Sequence, residues 1–138
     1  MSRVFVDTNI LAYRFDAGDP DRQERARRAL GQAEHEFAVS TQVMLELYVV
    51  LTRKLRPPVP AAAAEDALTE LAALPVVAAD AVLVRRAAST AGAHRMSIWD
   101  AMIVEAAHEA ACDEIWTEHL APGSTLRGVR ITNPLAVE

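Results

Sequence analysis

Three carboxylates sit in surroundings that do not suit them: Asp7, Glu46 and Asp100. Asp7 closes the apolar run Val4-Phe5-Val6, and in an open parallel sheet the C-terminal strand edge is where ligands bind. Asp7 or Thr8 could equally serve as the cap of the helix that follows. Between Val43 and Leu51 the apolar residues spread nearly all round a helix at about 100° per residue, which predicts a largely buried helix carrying Glu46. No Lys or Arg lies three or four residues from Glu46, so its charge needs a metal or a distant arginine. Asp100 shares a column with Ile103, Val104, Ala107 and Ala111, away from the polar face of Glu105, His108 and Glu109. Ser97, three residues earlier, offers a capping box as the competing account, although Asp is shorter than the usual Glu or Gln.

Brought together, such groups suit a hard divalent cation. Mg²⁺ and Mn²⁺ take oxygen ligands, and carboxylates from separate elements can form one side of an octahedral shell. Water and a substrate phosphate would fill the rest, and the metal would lower the pKa of that water for attack on a phosphodiester. No serine or cysteine nucleophile is required.

The elements that must position these acids follow from the apolar pattern. Strands are expected over residues 3–6, 37–39, 74–77, 115–117 and 129–131, and helices over 10–15, 21–34, 41–54, 61–73, 81–92 and 98–111. Ser40 or Thr41, Asp80 and Ser97 supply helix caps, Gly18-Asp19-Pro20 and Pro122-Gly123 turns, and residues 57–60 a stiff proline connector. Short apolar strands alternating with helices predict an α/β fold, a parallel sheet covered on both faces. One domain over residues 1–138 is expected, because the proline connector leaves too little chain for a second core.

Bulk properties narrow the function only a little. Net charge is −5, from 19 acids against 14 bases, and Lys54 is the only lysine. That argues against holding nucleic acid by a general positive field, yet a carboxylate metal site is itself negative. A single cysteine, Cys112, excludes an internal disulfide and a cysteine-based zinc cluster. Asp7 interrupts any apolar leader, and no stretch reaches the roughly 18 apolar residues of a membrane span. The expected location is cytoplasmic, with no membrane partner. His35, His94 and His108 lack ligand spacing; Arg22, Arg25, Arg27 and Arg28 read as a solvated helix face. Trp99 and Trp116 read as core or dimer-interface residues.

The segments Val4 through Leu11, Ser40 through Lys54, Ser97 through Ala107 and Ile115-Trp116-Thr117-Glu118 resemble, in order and spacing, the PIN-domain family and especially its VapC-type toxins. The resemblance covers nearly the whole chain. It implies a three-layer α/β/α sandwich around a mostly parallel five-stranded sheet, with the acids at the C-terminal strand edge. It implies an RNA endonuclease using Mg²⁺, with Mn²⁺ able to substitute, that forms a homodimer and is silenced by a small cognate antitoxin protein. Asp7 and Asp100 would be the principal metal ligands, Glu46 a ligand or water-positioning group, and Asn9 and Thr117 supporting residues. One departure stands out. Where the family commonly carries an acid two residues after the Thr or Ser of its fourth motif, this chain has His119, preceded by Glu118. Strand alternation points Glu118 away from the face shared by Thr117 and His119. Glu118 could swing in, His119 could supply a weaker ligand, or a second metal position is lost. The alternative function is a catalytically weakened PIN-like module that binds RNA or a protein partner.

Overall fold

Val4, Phe5 and Val6 have no solvent exposure, as a continuous apolar run requires when both sheet faces are covered. They lie in β1 (Ser2–Val6), near the middle of a six-stranded sheet of order β3-β2-β1-β4-β6-β5. This computed structural model describes residues 2–136. β2 (His35–Ser40), β3 (Val76–Val77), β4 (Glu114–Trp116) and β6 (Val129–Thr132) join β1 in parallel pairings. Helices α1 (Thr8–Tyr13), α2 (Pro20–Leu30), α3 (Thr41–Val49), α4 (Ala61–Ala72), α5 (Ala81–His94) and α6 (Ile98–Glu109) flank the sheet. The expected α/β class and all six helices are present.

The sixth strand departs from the five expected. β5 (Thr125–Leu126) pairs antiparallel with β6, joined by Arg127 and Gly128 at φ 52° and 78°. Two positive φ angles are what a tight two-residue hairpin demands, but a two-residue strand carries no readable alternation. α2 ends at Leu30, four residues before residue 34, and its C-cap Gly31 bonds through N–H back to Arg27 O.

Two burial expectations fail. α3 is not buried all round: Val43 and Leu47 face the core, while Leu45 is 71% exposed and Val49 47%. An apolar helix with no hydrophilic stripe conceals which side is open. On α6, Glu105 is not on a solvent face; it is 1% exposed and bonded to Thr90 Oγ1 at 2.8 Å and Arg127 Nε at 2.9 Å. The arginine arrives from the unforeseen hairpin. Asp80 caps α5 through Leu83 N, as expected, and Trp116 is core while Trp99 is open. No helix among the described residues is long and apolar enough to cross a membrane.

Candidate active site at the C-terminal strand edge

The β1–β4 register sets the centre of the site. Val6 lies opposite Trp116, so the next residues along these parallel strands, Asp7 and Thr117, emerge side by side. The ladder continues past both strands, through Asp7 N to Trp116 O and Thr117 N to Thr132 O, each 3.0 Å. Thr117 is fully buried and its Oγ1 donates to Asp7 Oδ2 at 2.8 Å. That hydroxyl also accepts from His119 N at 3.1 Å.

Of the two roles left open by its sequence position, Asp7 takes the capping one, at the C-terminal edge of β1. It is the N-cap of α1, Oδ1 accepting from Thr8 N at 2.8 Å. Its other oxygen accepts from Thr117 and, at 3.4 Å, from Asn9 Nδ2. Asn9 Oδ1 in turn accepts from Glu118 N at 3.3 Å. Burial raises the Asp7 carboxyl above its ordinary value and outweighs the lowering by Thr117, Thr8 and His119; the Asp100 charge raises it further.

Glu46 stands across from Asp7 on α3, in the wall of the same cavity of about 500 Å³. Its carboxyl is also raised, first by desolvation, then by the charges of Asp7 and Asp100; Gln42 and His119 oppose the shift. Solvent reaches Glu46, so the apolar neighbours Leu45, Val49 and Val50 hinder its hydration without enclosing it. Asp100 is half-buried in the first turn of α6, where its N–H bonds Ser97 Oγ at 3.0 Å. It lies outside the cavity wall but close enough to act electrically on both other acids. Among the described residues none of the three carboxylates is in an ion pair with Lys or Arg. The structure therefore gathers all three sequence candidates into one unneutralised cluster.

The fourth position divides between neighbours. His119 lines the cavity and acts on Asp7 and Glu46. Glu118 is engaged elsewhere, accepting from Tyr13 Oη at 2.5 Å. Tyr13 ionises only at about 12, first because it is shielded from water and then because of this bond to Glu118.

For a metal, donor type and donor placement give different answers. The oxygen-only acids suit a hard divalent cation, and Thr8 Oγ1, beside Asp7 in the cavity wall, is buried with no hydrogen-bond partner. Yet no group of three or more His, Cys, Asp or Glu side chains among the described residues is arranged to hold a metal ion. The fit is one of chemistry, with side-chain rearrangement needed to bring the oxygens onto one ion. Sequence reasoning missed Tyr13, Thr8 and Lys54 as cavity residues; Lys54 had signalled itself only as the lone lysine.

The family model described as PIN domain matches residues 4–118. No curated protein matches the chain. Among solved structures, Mycobacterium tuberculosis VapC20, a sarcin–ricin loop cleaving toxin, is 22% identical at a TM-score of 0.69, covering 83% of this chain and 88% of its own. A toxin–antitoxin complex from Klebsiella pneumoniae is 18% identical at 0.71, covering 95% and 97%. A FitAB complex bound to a DNA fragment is 20% identical at 0.71, covering 98% and 97%.

Proposed function

The chain belongs to the PIN-domain family, and from that premise we propose that it is a divalent-metal-dependent RNA endonuclease, the toxin of a toxin–antitoxin pair, acting as one domain over residues 1–138. The observation that carries this reading is the cluster of Asp7, Glu46 and Asp100, three carboxylates that repel one another with no Lys or Arg ion pair among the described residues, two of them in the wall of one cavity. Like charges held together at an energetic disadvantage are a signature of functional sites. The similarity to toxin structures supports the biological role.

Asp7 and Asp100 would hold Mg²⁺, with Mn²⁺ able to replace it, and Glu46 would ligate or position water. The bound ion would supply an activated water at neutral pH and offset charge on the phosphodiester. Thr117 and Asn9 keep the Asp7 oxygens turned toward the cavity through their hydrogen bonds. The apolar wall restricts bulk water and strengthens each electrostatic contact. RNA cleavage with Mg²⁺ or Mn²⁺, abolished by EDTA and by Asp7→Ala, is the expected result. A folded protein that cuts no RNA with either ion overturns the proposal.

One observation favours the second reading, a weakened module that binds RNA or a protein: imidazole at His119, where the family commonly has an acid, is a poor partner for Mg²⁺. A homodimer is supported by exposed Leu45, Val84 and Trp99, which line one largely apolar surface cavity. Sedimentation at monomer mass would refute it. A small antitoxin and a cytoplasmic location complete the proposal; a small reading frame immediately upstream, whose product blocks cleavage, is the expected partner.

A further inference from the structure

We propose that Lys54 binds an RNA backbone phosphate one or two nucleotides from the one that is cut, a subsite built into the far end of the helix that carries Glu46. This rests on the ribonuclease reading.

Lys54 lines the same cavity as Asp7, Glu46 and His119, separated from the acids by an apolar wall that includes Val49, Val50 and Leu55. It is exposed, and among the described residues it makes neither ion pair nor side-chain hydrogen bond. Its charge is also not used on the carboxylates, since the cationic influence on both Asp7 and Glu46 comes from His119. The neighbouring Arg56 is spent on carbonyls of Arg53 and Leu55.

Backbone geometry explains how it reaches the cavity. After Val49 the helix widens into a π turn, Val50–Lys54, closed by Leu55 N on Val50 O at 3.1 Å. On a uniform α-helix a residue eight positions after Glu46 would sit about 80° away in azimuth. The wider i→i+5 turn advances each residue by less than 100°, which swings Lys54 back toward the column of Glu46. π turns are rare and concentrate at functional sites. Eight residues also separate the two by at most about 12 Å along the axis, more than one phosphate-to-phosphate step of a single strand. The phosphate at Lys54 is therefore not the scissile one, and its role is in holding substrate.

The test is binding of a fluorescent single-stranded RNA to the cleavage-impaired Asp100→Asn protein, with and without Lys54→Gln or Lys54→Arg, across a salt series. Lys54→Gln should weaken binding several-fold and flatten the slope of log Kd against log salt by about 0.7, the value of one phosphate contact on a single strand. Lys54→Arg should restore both. With Asp100 intact, Lys54→Gln should raise KM and leave kcat within twofold. Unchanged affinity and slope in Lys54→Gln would overturn the subsite while leaving the nuclease reading in place. Parent protein that neither binds nor cuts RNA would remove both.

Discussion

Thr117 Oγ1 donates a 2.8 Å hydrogen bond to Asp7 Oδ2 from a fully buried position on the adjoining strand. The bond fixes one oxygen and leaves the carboxylate no freedom to rotate away from the cavity. Partners of this kind typically change metal affinity or activity 10- to 100-fold when removed. Thr117→Val should therefore lower cleavage at least about tenfold, while Thr117→Ser stays near the parent. Equal rates for all three proteins would show that Asp7 orientation is set by Thr8 and Asn9 alone.

The raised carboxyls predict a pH dependence whose sign depends on metal. Asp7 and Glu46 ionise above their ordinary values of 3.8 and 4.5, so across that window the folded chain binds more protons than the unfolded one. Stability then falls as pH rises. The contribution is most favourable below those ordinary values, is lost as pH climbs through the shifted ones, and is level beyond. In EDTA, the stability difference between Glu46→Gln and parent should grow in the variant's favour over this range. Saturating Mg²⁺ should reverse the trend, because ligands must be ionised to bind. Urea midpoints against pH, with and without Mg²⁺, read both; the same slope in both conditions would exclude metal at these groups.

Much of this site could be read from residue types. The strand at residues 3–6, the helix starts at Ser40 and Ser97, and the isolated acids all rest on local patterns. What escaped depended on distance in the chain. Glu105 looked solvated until Arg127, 22 residues on, reached it. Glu46 was singled out as a carboxylate on a buried helix, but α3 is open on that side, and its carboxyl is raised first by partial desolvation among apolar neighbours and then by the acids facing it. Nothing local to residues 50–54 announces a π turn, so Lys54 could not be placed in the wall of the acids' cavity.

Replacing Asp100 by Asn removes one repelling charge while keeping its shape and the N-terminal bond to Ser97. The metal-free variant should melt higher than the parent by about 1 °C, the effect of a few tenths of a kcal/mol in a domain of this size. It should also gain less stability from added Mg²⁺. Production of the parent chain should arrest bacterial growth, and the variant should be tolerated. Equal toxicity would break the catalytic account even if the melting shift were seen.

The fourth position can be tested by exchange. Glu118 is held by Tyr13, so Glu118→Gln should alter Mg²⁺-dependent cleavage less than threefold. His119→Asp places a hard oxygen donor in the cavity wall and should lower the Mg²⁺ concentration for half-maximal activity several-fold. The parent should prefer Mn²⁺ to a greater degree than this variant. Metal titrations of cleavage decide it: a large loss in Glu118→Gln would mean that Glu118 leaves Tyr13 to join the site.

Arg127 anchors the β5–β6 hairpin by pairing with buried Glu105 at 2.9 Å and 3.4 Å. Removing one partner of such a pair leaves a charge buried without compensation. Because Arg127 is itself 42% exposed, solvent can enter after truncation, so Arg127→Ala should destabilise by about 2 kcal/mol, below the usual cost for a fully buried pair. Adding Glu105→Gln to that variant should recover part of the loss, since Thr90 can still donate to the neutral amide oxygen. Urea denaturation of the single and double variants measures the coupling. The cavity that Arg127 and Glu105 line shares no residue with the acids' cavity, so cleavage per folded molecule should stay within twofold. An equally stable single variant would mean that Glu105 is held by Thr90 alone.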